Sequence, residues 1–238
     1  MSYFKVSYLL ENTDIPPFVL GAFFSRSTLD SNYIYAEAAS NAGTKPDEST
    51  VKKFEDNKRI YLDKLNKVSA PFEWEFVNEN SKAFKARLII ENDLNLDKEK
   101  FFFKLYYKLV TKYPWMTVDN LNEEKKSFIR GYFETRGSVD VTANYLAQDY
   151  FSDGKFELKK YKLLTDFCDV PYYVSNLNFR DLQKQFYEDI NPRNTQFRLN
   201  LKWYMKNIGI IDDFKADKFA TRFTKEYSII KKRTSYIL

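Results

Sequence analysis

Residues 84–90 place Phe84, Ala86, Leu88 and Ile90 in alternation with Lys85, Arg87 and Ile89, the period-two pattern of a half-buried strand. FEWEF at 72–76 alternates likewise, with Glu73 and Glu75 on its polar side. At 195–203, TQFRLNLKW sets Phe197, Leu199 and Leu201 against Arg198, Asn200 and Lys202. SVDVTANY at 138–145 predicts a strand with Val139, Val141 and Ala143 on one face and Ser138, Asp140, Thr142 and Asn144 on the other. YYVSNLNF at 172–179 reads as another. Between these the period lengthens. Val51, Phe54, Ile60, Leu62 and Leu65 predict a helix over 49–67, and a second runs from Asp97 to Lys112, ended by Tyr113-Pro114. Helices are also expected over 155–167 and in the tail that ends KKRTSYIL.

Two further stretches, FVLGAFFSRSTLD at 18–30 and FIRGYFETRGSVD at 128–140, start with a helical, apolar run and agree with each other. Offset by 110 positions (128 minus 18), Phe18, Gly21, Phe23, Arg26 and Asp30 meet Phe128, Gly131, Phe133, Arg136 and Asp140. Pro16 and Pro17 stand at the start of the first run. Each half reads as helix, strands, helix, strands, helix, with a joint at 114–120, so the chain divides into repeats 1–116 and 117–238.

Composition narrows the chemistry. The 238 residues contain no histidine and a single cysteine, Cys168. This excludes Ser-His-Asp and Cys-His catalysis, nearly all zinc sites and an internal disulfide. Cys168 is expected to fill a hydrophobic patch with Phe167 and Val170. A net charge of +5 is compatible with a polyanionic partner and does not by itself specify one. Six glycines leave little room for a phosphate-binding loop. No apolar run approaches a membrane span, and the first residues lack a signal peptide's pattern, so an intracellular protein, cytoplasmic or organellar, is expected.

The paired stretches resemble the motif of the LAGLIDADG endonuclease family in its two-repeat, single-chain form. Ile129, Gly131, Tyr132, Phe133, Gly137, Ser138 and Val139 fit the pattern, with Glu134 at its first acidic position. The resemblance implies an α+β monomer with internal pseudo-two-fold symmetry: the two motif helices packed together through their glycines, and antiparallel sheets forming a saddle over double-stranded DNA. It implies base and phosphate contacts from the strand residues Lys85, Arg87, Arg198, Asn200 and Lys202. It also implies divalent metal at the last acidic position of each motif, yet those positions hold Arg26 and Arg136, and a guanidinium cannot ligate Mg²⁺.

Arg-x-x-x-Asp occurs in both halves, and its readings stand side by side. Arg26 and Arg136 lock a helix-to-strand corner by pairing with Asp30 and Asp140, or they hold DNA phosphates. Alternatively, Asp30 and Asp140 accept protons or hold Mg²⁺ in a relocated catalytic site. Function is accordingly expected to be sequence-specific recognition of duplex DNA with an altered nuclease centre. The alternatives are an active homing or restriction endonuclease and a splicing cofactor for structured RNA. A neutral or acidic groove would instead indicate a purely structural protein.

Overall fold

The computed structural model describes residues 3–39, 48–78, 83–92, 94–136, 138–140, 145–150, 154–170, 172–175, 196–213 and 216. Helix α2 (Pro17–Ser25) is buried from Phe18 to its end, because PFVLGAFFS has no polar side to turn toward water. Pro17 opens it, where the missing N–H costs nothing. Its partner is α6 (Glu123–Arg136), buried from Phe128 to Thr135. The two helices meet at their glycines. A Cβ on Gly21 would lie 2.0 Å from the Phe128 carbonyl oxygen, and one on Gly131 would lie 2.0 Å from that of Phe18. Only residues without a side chain allow backbones so near.

Around this pair the order of elements repeats. After β1 (Phe4–Lys5) and α1 (Val6–Glu11), the chain runs α2, β2 (Ser27–Leu29), β3 (Tyr33–Ala39), α3 (Glu48–Ser69), β4 (Trp74–Phe76), β5 (Ala83–Ile89) and α4 (Lys98–Lys112). A short α5 (Pro114–Thr117) leads to α6, β6 (Ser138–Asp140), β7 (Tyr145–Tyr150), α7 (Gly154–Cys168), β8 (Tyr172–Ser175), β9 (Gln196–Asn200) and α8 (Leu201–Asn207). The first sheet pairs β2 with β3, β3 with β5 and β5 with β4, all antiparallel; β1 joins β5 in parallel. The second pairs β6 with β7, β7 with β9 and β9 with β8, again antiparallel. Apart from β1, the strand connectivity is the same in both sheets.

The first sheet buries Ile34, Ala36, Ala38, Trp74, Phe84, Ala86 and Leu88. The core continues through Phe101, Phe102, Leu105 and Leu109 of α4 and through Leu163, Leu164 and Cys168 of α7. The Cys168 sulfur lies 3.8 Å from that of Met116, and burial pushes its thiol up to about 12.

Buried cations end four of the helices. The last carbonyls of a helix have no partner within it. Lys108 donates to Leu9 and Asn12 at the end of α1, and Lys125 to Val118 behind α5. Arg130 Nε donates to Ile208 behind α8 at 3.1 Å, and Lys160 Nζ to Ser25 of α2 at 2.8 Å. Burial lowers the Lys108 ammonium to about 8, with Asp14 opposing that shift. Part of the chain's positive charge therefore serves helix ends and faces inward.

Several expectations change. Lys202 lies in the first turn of α8, not on a strand: the alternation stops at Asn200, and Tyr204, Met205 and Ile208 bury one helical face instead. Of SVDVTANY the structure describes the ends: β6 closes at Asp140, which pairs antiparallel with Tyr145 at the start of β7, and 141–144 lie outside the described residues. Glu73 precedes β4 and is exposed. Strands β1, β2, β3 and β7 and helices α1 and α5 are additional to the elements expected from the pattern. The tail with Lys231, Lys232 and Arg233 lies outside the described residues.

Candidate nucleic-acid interface

Directly paired residues of an antiparallel ladder share a face. In the first sheet the register aligns Thr28 with Tyr35 and Tyr35 with Arg87; the next row along the same face aligns Glu37, Lys85 and Glu75. In the second sheet Ser138 aligns with Ala147, Ala147 with Arg198, and Arg198 with Tyr173. Thr28 and Ser138 correspond in the sequence repeat, so Arg87 and Arg198 hold equivalent positions, two strands away from the helix corner. The adjoining rows also correspond. Asp30 donates its N–H to the Tyr33 carbonyl at 2.8 Å, and Tyr33 aligns with Ile89, whereas Asp140 aligns with Tyr145 and Tyr145 with Asn200. Asn200 thus stands where the first sheet has Ile89.

The face that carries Lys85 and Arg87 is mixed in charge. Arg87 Nε lies 2.7 Å from Glu75 Oε1, and its guanidinium is 6.0 Å from the Tyr3 ring centre. Tyr3 in turn donates its hydroxyl to Glu75 at 3.0 Å. Lys85 Nζ sits 4.1 Å over the Tyr35 ring. With Lys5, Glu37 and Asp30 the face mixes cations and carboxylates, and its arginine is already engaged. Tyr3 and Tyr35 belong to this face as well, and the sequence marks Tyr35 only by alternation with buried neighbours.

At the corner, Arg26 is exposed and caps α2 in an extended conformation, its N–H reaching the Ala22 carbonyl at 3.4 Å. No ion pair joins it to Asp30. That carboxylate accepts from the Ser31 N–H at 2.7 Å instead, so the corner-locking pair expected of the first half is not formed. Asp30 borders a cleft of about 560 Å³ with Leu29, Ser31, Glu91 and Asn95. Arg136 is the last residue of α6 and Asp140 the last of β6.

Beneath these corners the helix-pair ends are braced from the opposite half of the chain. Tyr61 of α3 donates its hydroxyl to Glu134 Oε2 at 3.0 Å, and the Ile211 N–H donates to Glu134 Oε1 at 2.6 Å. Lys160 of α7 closes the end of α2 as described. Burial, then the Glu134 charge, raises the Tyr61 hydroxyl well above its ordinary value, and burial also raises that of Tyr204. The donor set does not fit the divalent metals implied by the resemblance. Arginines hold the metal-binding positions, Glu134 is buried with both oxygens engaged, and a cation already sits on the Ser25 carbonyl. Among the described residues, no group of three or more acidic or cysteine side chains could hold a metal ion.

No family model matches the sequence, and no curated protein matches it. Among solved structures the chain is similar to full-length DUF199/WhiA from Thermatoga maritima, at 15% identity and a TM-score of 0.38, over 99% of this chain and 74% of that one. Among the described residues no helix is long and apolar enough to cross a membrane.

Proposed function

We propose that the chain is a duplicated LAGLIDADG-type unit, repeats 1–116 and 117–238, that recognises duplex DNA through both sheets while its nuclease centre is altered. The observation that carries this reading is the register equivalence of Arg87 and Arg198 on two sheets of the same strand connectivity. Two arginines related in this way would meet successive stretches of one duplex symmetrically, and arginine is the side chain best shaped for guanine edges and phosphates. Asn200, suited to adenine, would make the second half's reading differ from the first. Lys85 would follow the backbone, as would Arg26 and Arg136 at the corners. Lys202, in a helix, would contribute only by flanking the sheet.

Affinity for random-sequence duplex measured against salt tests the reading. Binding that weakens steeply and linearly in log salt is expected, and no binding at low salt defeats it. Selection from a random duplex library would then give the preferred site. Competition with structured RNA separates the splicing-cofactor alternative.

Endonuclease activity is a second reading, favoured by Asp30 directly after β2, by Asp140 at the end of β6 and by the cleft beside Asp30. If it holds, Asp30→Asn and Asp140→Asn abolish Mg²⁺-supported cleavage of the selected site and spare binding. Cleavage unchanged in both variants excludes those residues.

A further inference from the structure

The helix-pair ends pose an electrostatic problem that this chain solves in its own way. Helix α2 points its negative dipole end, with the carbonyl of a fully buried Ser25, into the protein. Lys160 arrives from α7 with its residue 7% exposed, donates to that carbonyl at 2.8 Å, and holds its ammonium 5.6 Å from the Phe102 ring centre. Carbonyl, dipole and ring face together compensate a cation withdrawn from water. At the end of α6, Glu134 spends its carboxylate on Tyr61 and on the Ile211 N–H.

We infer that the Lys160 ammonium is a built-in countercharge at the end of the helix pair, held where a divalent ion would otherwise be needed, so that folding and DNA binding at this centre proceed without divalent metal. The cation is covalently part of the chain, and a chelator cannot remove it. An arriving Mg²⁺ would meet Lys160 and the exposed Arg26, with the Glu134 carboxylate at this end of α6 already engaged. The comparison with a divalent ion and the DNA statement rest on the proposed function; the countercharge role of Lys160 does not.

The experiment has three arms. Mn²⁺ alone is titrated into the wild-type protein by calorimetry, with thermal unfolding recorded with and without it. No saturable binding and an unchanged Tm are expected, whereas one-to-one binding that raises Tm overturns the inference. Lys160→Met should lower Tm by roughly 5 °C, with Lys160→Arg recovering most of the loss. A Lys160→Met protein as stable as wild type overturns the countercharge role; if it fails to fold, the Arg variant and the Mn²⁺ arm still decide. Duplex should bind in EDTA at least as tightly as in Mg²⁺, which competes for the phosphates, and a strict Mg²⁺ requirement overturns the inference. If no duplex binds in either condition, the proposed function fails while the first two arms still judge the centre.

Discussion

Gly131 lies against the backbone of Phe18, where a methyl group would stand 2.0 Å from the carbonyl oxygen. Gly21 meets Phe128 in the same way, so neither helix can yield without moving its own backbone. Gly21→Ala and Gly131→Ala should each cost about 3 kcal/mol or more, by similar amounts, because the obstacle is main chain and not a flexible side chain. Urea unfolding of both variants checks this, and a loss below 1 kcal/mol in either would contradict the packing.

Tyr61→Phe removes the hydroxyl that satisfies Glu134 Oε2 and leaves shape almost unchanged. A loss of about 1–3 kcal/mol is expected, since a buried carboxylate oxygen goes short of a donor. The urea midpoint should fall at constant slope.

Cys168 gives a pH dependence of known sign. Burial holds its thiol neutral up to about 12 in the fold, against an ordinary value of 9.0. The folded value is the higher one. The stabilisation it carries is therefore complete below pH 9 and is lost as the pH rises from 9 toward 12, at up to about 1.4 kcal/mol per unit. Cys168→Ala should lose stability less steeply than wild type across that window, and parallel curves would refute the assignment.

Arg87 and Glu75 make opposite predictions for DNA. Arg87→Ala should weaken duplex binding and reduce the slope against log salt by about 1 if it meets phosphate. Glu75→Gln removes the partner 2.7 Å away and one negative charge, so affinity at low salt should rise. Equal affinity in both variants would remove this face from the interface. Arg26→Ala, at an exposed position, should leave stability within about 0.5 kcal/mol of wild type.

What the sequence made legible follows from range. Strand β5 announces itself because Phe84, Ala86 and Leu88 alternate with Lys85 and Arg87 within seven residues. Strand β3 hides because its buried positions include Ala36 and Ala38, too small to mark a face, while its larger Tyr33 and Tyr35 lie only part-buried. The pattern overruns the end of β9 because Leu201 and Trp203 extend a period of two through the first turn of a helix. The braces were out of reach altogether. Tyr61 and Glu134 are 73 positions apart, Lys160 and Ser25 are 135 apart, and no local pattern records such partners.

Those braces are unlike each other, a phenol on a carboxylate at one corner and an ammonium on a carbonyl at the other. Cut between Val118 and Asn122 and produced as two polypeptides, each fragment would carry one half of each brace. Self-pairing would then bring together groups that cannot complete one another. Complementation between the unlike fragments would satisfy both corners.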